Sequence, residues 1–229
     1  MKNGITRIKD RRGGRVVFIS QCIANQNLRF PGIAVASGAC EELVSMLMNN
    51  GVGIETLPCL ERIGWGGISR KQYFKYQPLL LSKRASLMSW IIRLFTELWL
   101  WNYGRICGRE ASQMASHIED YIRNGYLVVG MVSMNDSPTD GVSRTIDLIR
   151  SAERIRSGSL DAAKLLSADI EQLRALIPEM CERGEGIFMR MLRKRLMRRH
   201  REIRIVGYDP WADPRAETRR IAKELNLHY

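Results

Sequence analysis

Three β-branched apolar runs, each opening into a loop of reactive side chains, constrain this chain more than any other feature. Val16–Ile19 leads into Ser20-Gln-Cys-Ile-Ala-Asn-Gln-Asn27, Val52–Leu57 into Leu57-Pro-Cys-Leu-Glu61, and Tyr126–Val132 into Ser137-Pro-Thr-Asp-Gly-Val142. Helical stretches separate them, from about Ala39 to Asn49 and from Glu110 to Asn124, closed by Gly51 and Gly125, where a helix C-terminal glycine belongs. Strand–helix alternation of this kind predicts an α/β fold: a doubly wound, mainly parallel, Rossmann-like sheet with helices on both faces. In open α/β sheets ligands bind beyond the carboxyl ends of the strands. The three loops are therefore expected to converge on one site.

The 229 residues, 45% hydrophobic and 26% charged, suit a single α/β domain spanning 1–229. The apolar run after the basic N-terminus is too short for a signal-peptide core, which predicts a cytoplasmic protein. No segment reaches the roughly 20 apolar residues of a membrane span. The five cysteines, Cys22, Cys40, Cys59, Cys107 and Cys181, are scattered with no Cys-x-x-Cys. Zinc ribbons, thioredoxin-type pairs and ferredoxin-type runs are thereby unsupported, and buried inert thiols are the ordinary reading. The three histidines show no metal-ligand spacing.

Gly64-Trp-Gly-Gly67 is a flexible turn without the Walker lysine or the dinucleotide fingerprint. Leu87–Trp101 is apolar apart from Ser89, Arg93, Thr96 and Glu97. A helix of that kind must be covered, by the domain's own core, by a homodimer or protein partner, or by a membrane surface. The net charge of +12 concentrates at 190–204, where eight Lys and Arg face a single acid. Ile187, Phe188, Met191, Leu192 and Leu196 recur there at helical spacing, so a solvated basic face is favoured over a nucleic-acid footprint. A short strand at Ile203–Val206 follows. Asp213-Pro214 then starts the last helix as N-cap and first-turn proline.

The loop motifs carry a resemblance. Cys22-Ile-Ala-Asn25-Gln26-Asn27, Pro58-Cys59-Leu60-Glu61 and Ser137-Pro-Thr-Asp140-Gly-Val142 resemble the three signature segments of the thiouracil desulfidase family, in particular a related branch of iron–sulfur desulfidases. The likeness extends through Gly51–Ile54, Ile118–Tyr126 and 186–209. Two stretches fit it poorly, and we read them as expansions: a tryptophan-rich helical insertion at 76–108 and a helical expansion at 144–180. The resemblance implies a 4Fe-4S cluster held by three cysteines, with one open iron that takes sulfur from a small thio-substrate such as a thiolated pyrimidine. An open position on a soft metal suits that chemistry. By position, Cys22 and Cys59 match two ligands, Glu61 matches the acid/base glutamate, Ser137 orients substrate or water, and Asn25 and Asn27 line the substrate side.

The third ligand position departs from the family: Asp140 stands where the branch has cysteine, Thr139 where it has serine, and Leu60 where it has proline. Carboxylate is a harder ligand than thiolate. Three outcomes follow: Asp140 is a labile third ligand, Cys107 supplies the thiolate instead, or the cluster is lost and Asp140 merely caps its turn. The last makes the chain a degenerate, non-catalytic homologue that acts through its apolar 87–101 helix.

Overall fold

The computed structural model describes residues 11–73, 75, 87–147, 150–151, 153–154, 157, 159 and 169–229. Strand β1 (Arg15–Ser20) pairs in parallel with β2 (Gly53–Leu57) on one side and β3 (Leu127–Met134) on the other. β3 pairs in parallel with β6 (Ile205–Tyr208), giving the order β2-β1-β3-β6. This is a Rossmann-like α/β sheet, as the strand–helix alternation predicts.

Successive side chains of a strand point to opposite faces, and β1 obeys the rule with apolar residues on both. Val17 and Ile19 pack with Leu43 and Leu47 of α2 (Glu41–Asn49) and with Ile221 and Leu225 of α7 (Pro214–Leu225). Val16 and Phe18 pack with Ala111 and Ile118 of α4 (Leu87–Arg123) and with Leu192 of α6 (Ile187–Arg198). A parallel sheet buried on both faces reads as continuous apolar strands, which explains why these runs were the clearest signal in the sequence. Asp213 caps α7 as expected, its carboxylate accepting from Ala216 N at 2.9 Å.

The helix expected to begin near Glu110 instead starts at Leu87 and runs unbroken for 37 residues. Tyr103, Cys107, Ala111 and Ala115 form one buried stripe at four-residue spacing, so packing carries the helix straight through the expected insertion boundary. Cys107 lies in the middle of this helix. Among the described side chains of the apolar 87–101 segment, Trp99 stacks on Tyr103 with ring centroids 5.8 Å apart, whereas Leu94, Phe95, Leu98 and Trp101 are exposed. No helix among the described residues is long and apolar enough to cross a membrane.

The 144–180 region is not wholly helical. It opens on β4 (Arg144–Ile146), which pairs antiparallel with β5 (Cys181–Arg183) directly after α5 (Ile170–Met180). Strands of three residues carry too little pattern to be read from sequence. Pro178 sits inside the final turn of α5, where a missing N–H costs one hydrogen bond. Residues 148–149, 152, 155–156, 158 and 160–168 of that expectation, like 76–86 of the expected insertion, lie outside the described residues. The basic helix α6 is amphipathic as read, burying Phe188, Met189, Leu192 and Leu196. Half of the basic residues at 190–204 bond to other side chains: on the helix Arg193 pairs with Glu185 and Arg195 donates to Ser112 of α4, and just past it Arg199 donates to Ser116 and Arg201 pairs with Glu119.

Candidate functional site

The chain leaves β1 for β2 on one side, then crosses to β3 on the other. That reversal opens a crevice at the carboxyl ends of β1 and β3, the usual ligand position of an open α/β sheet. Ser20 ends β1 and Ser133 nears the end of β3, and their hydroxyls meet at 3.0 Å. Ser20 Oγ also donates to Asp140 Oδ2 at 2.7 Å, while Ser133 Oγ donates to the Asp140 carbonyl at 2.8 Å. Both strand ends thus hold the same aspartate.

The loop carrying Asp140 is fixed from its other side by α6. The first N–H groups of a helix lack intrahelical partners. Here Ile187 N bonds to Pro138 O, and Phe188 N and Met189 N bond to Thr139 O. The approach is close enough that a Cβ on Gly186 would sit 2.3 Å from Thr139 O.

Glu61, on the first turn of α3 (Leu60–Gly64) after β2, reaches the same loop. Ser137 Oγ donates to Glu61 Oε1 at 3.0 Å and accepts from Thr139 N and Asp140 N at 3.2 and 3.0 Å. A hydroxyl has one hydrogen and two lone pairs, so Ser137 is saturated and its proton points at Glu61. On the far side, the fully buried Arg70 stands 4.0 Å from Glu61 Oε2. Its guanidinium donates to Leu28 O at 2.6 Å, to Gly67 O at 2.8 Å and to Cys59 Sγ at 3.5 Å.

The titrating groups of this site feel one another. Burial raises the Cys22 thiol well above its ordinary value, opposed by Arg29 and reinforced by Asp140, Cys59 and Glu61. Burial, with Glu61, pushes Cys59 up to about 11. Burial likewise raises Glu61 against the pull of Arg70, Ser137 and Arg29. Asp140 is raised by burial to about 7, with the Ser20 hydrogen bond opposing and Glu61 adding to the rise. Cys107, held at about 12 chiefly by burial, also feels Asp140. Cys22, Cys59, Glu61, Ser137 and Asp140 are therefore gathered around one crevice, with Cys107 behind it.

Asn25 and Asn27 are exposed and bond to each other, Asn25 Oδ1 accepting from Asn27 N and Nδ2 at 3.1 and 3.0 Å. The residue between them does more for the loop. Buried Gln26 donates to Cys22 O at 2.7 Å and Cys40 Sγ at 3.3 Å, and accepts from Val35 N at 3.0 Å. Sequence reading also passed over Arg29, Arg70 and Tyr103. The buried Tyr103 hydroxyl meets Thr139 Oγ1 at 2.8 Å, and its position four residues before Cys107 on one helical face was the available signal. A separate polar cleft, lined by Ser116, Glu119, Arg123 and Arg199, lies toward the end of α4 that precedes β3. That is the amino edge of the sheet, away from these loops.

Among the described residues, no three His, Cys, Asp or Glu side chains stand close enough to hold a metal ion. A single ion with three such ligands has no seat here. The donors that do share the crevice are two free thiols, Cys22 and Cys59, and Asp140, whose Oδ1 is fully buried without a hydrogen-bond partner. Thiols and an unpartnered carboxylate oxygen are donor types that a soft-metal group can take, the carboxylate being the harder of the two.

Comparison with known proteins finds no matching family model and no matching solved structure. The chain is similar to an uncharacterized protein of Methanocaldococcus jannaschii, with 42% identity over 60 residues, covering 26% of this chain and 38% of that relative. The chain thus matches well under half the length of the curated relative.

Proposed function

We propose that this protein removes sulfur from a small thiocarbonyl compound of the thiolated-pyrimidine class, using a 4Fe-4S cluster held by Cys22, Cys59 and Asp140. The observation that carries this reading is the buried, unpartnered Asp140 Oδ1 at the position of the missing third cysteine. A native buried acceptor is rarely left without a partner, and a ligated metal would supply one. When bound, the cluster offers an open, soft Lewis-acidic iron for the substrate's sulfur.

The chain's own groups move the protons. Glu61, its pKa raised by burial, can hold a proton nearer neutrality than an exposed carboxylate, as an acid/base group must. Ser137 fixes the orientation of its carboxyl, and Arg70 limits the rise by favouring the ionised form. Cys22 and Cys59 are protonated in the metal-free chain, so ligation must expel their protons and will strengthen with pH.

The test is anaerobic reconstitution with iron and sulfide, followed by iron quantitation, absorption near 400 nm and a desulfidation assay on thiolated pyrimidines. About four irons per chain, lost in Cys22→Ser and Cys59→Ser, together with turnover, supports the proposal; an iron-free chain overturns it. A second reading is favoured by the exposed Leu94, Phe95, Leu98 and Trp101. It makes the chain a non-catalytic homologue that binds a partner or a second copy through α4. Iron-free protein that self-associates, and becomes monomeric on Leu98→Glu with Trp101→Glu, is the result expected of it.

A further inference from the structure

Arg29 follows the short 3-10 turn Gln26–Leu28 and is only 9% exposed. Its backbone N–H bonds to Gln26 O at 3.0 Å, but its guanidinium makes no hydrogen bond or ion pair among the described residues. Its Nε is fully buried and unpaired. Arg29 follows Leu28, whose carbonyl accepts from Arg70 at 2.6 Å and faces the Cys59 thiol at 3.9 Å, so the residue lies in the loop beyond β1 beside Cys59 and Arg70. Its charge also acts on Cys22, Glu61, Cys40 and Tyr208 around the carboxyl edge of the sheet.

The charges already present do not satisfy it. Arg70 is paired with Glu61 and held by carbonyls of Leu28 and Gly67. Asp140 is engaged by Ser20. Arginine cannot shed its proton, and a buried charge without a partner is strongly unfavourable. A planar fork of donors left open over a binding crevice matches a bidentate oxyanion.

We infer that Arg29 is an anion-binding residue that receives an oxyanion group, carboxylate or phosphate, of the ligand bound at the β1/β3 crevice. The inference does not depend on a cluster: Arg29 lacks a counter-charge in the metal-free chain. It narrows the ligand to one with an anionic oxygen group.

The test uses the full, iron-free chain at pH 7 and fixed ionic strength. The unfolding midpoint is followed while inorganic phosphate and, separately, acetate replace chloride. The expected result is a saturating rise with at least one anion, and the anion that saturates identifies the class. Its half-saturation should weaken at least tenfold in Arg29→Gln and stay unchanged in Arg199→Gln, which removes a basic side chain from the other edge. No saturation in the wild type, or equal saturation in Arg29→Gln, overturns the inference. If Arg29→Gln fails to fold, Arg29→Lys decides. It keeps the charge without the fork, so a several-fold weaker half-saturation supports the assignment and an identical one overturns it. Because no iron is present, failure here leaves the cluster proposal untouched, and an iron-free reconstitution leaves this one untouched.

Discussion

Ser137 Oγ stands 3.0 Å from Glu61 Oε1 although 76 residues separate them in the chain. The contact joins the β2–α3 connection to the loop after β3, so two of the three sequence motifs are held by one hydroxyl. Since that hydroxyl also accepts two backbone N–H groups of its own loop, the loop's shape and the orientation of Glu61 are a single arrangement.

Ser137→Ala removes a donor to Glu61 and leaves Thr139 N and Asp140 N without their acceptor. Unmaking buried hydrogen bonds of this kind costs on the order of 1–3 kcal/mol. Chemical denaturation should show a loss in that range, with the slope unchanged. A loss below about 0.5 kcal/mol, the scale of ordinary surface substitutions, would mean that α6, the two strand-end serines and Tyr103 hold the loop without Ser137.

Asp140 keeps its proton up to about pH 7 in the folded, metal-free chain, whereas an unfolded aspartate releases it near 4. Between those values the unfolded state binds fewer protons. Stability should therefore fall as pH rises from about 4 to about 7 and level off above, by up to about 4 kcal/mol. Burial drives the rise against the opposing Ser20 hydrogen bond, and the nearby Glu61 adds to it. In Asp140→Asn this part of the slope disappears; an identical slope in the variant and the wild type would refute the assignment.

If Asp140 occupies a ligand position, restoring a soft donor there should tighten the site. Asp140→Cys is expected to raise iron content after anaerobic reconstitution and slow iron loss to a chelator several-fold, with secondary structure unchanged by circular dichroism. Unaltered iron content and chelation rate in a folded variant would mark Asp140 as a turn residue only.

The sheet and the meeting of the three loops were legible because their signals are local. β-branched runs mark the strands, and chain order fixes where their carboxyl ends go. What escaped notice depends on partners distant in sequence. β4 and β5 exist only by pairing with each other across residues 144–183. The unbroken α4 needs the buried Tyr103–Ala115 stripe against α6, and composition alone had set a boundary in the middle of it. Arg29 and Arg70 look like ordinary basic residues in a chain of net charge +12. Only the folded arrangement shows that one is spent on Glu61 and backbone carbonyls while the other has no such partner among the described residues.

Tyr103 carries the effect of the long helix into the site, and Gly64 makes room for it. A Cβ at position 64 would lie 2.4 Å from Cδ2 and Cε2 of the Tyr103 ring, which is buried and packs in a triangle with Trp65 and Trp99, all three centroids about 6 Å apart. Gly64→Ala must therefore shift the ring within this cluster or displace α3. Overpacking of this kind costs about 1–3 kcal/mol. Tyr103→Phe keeps the ring and loses only the hydroxyl bond to Thr139, a cost of about 1 kcal/mol. The two variants separate shape from hydrogen bonding: Gly64→Ala should be the more destabilised and should alter tryptophan fluorescence, and Tyr103→Phe should leave fluorescence near the wild type. Equal stability of Gly64→Ala and wild type would show that the ring is not clamped, and that Tyr103 holds Thr139 by its hydroxyl alone.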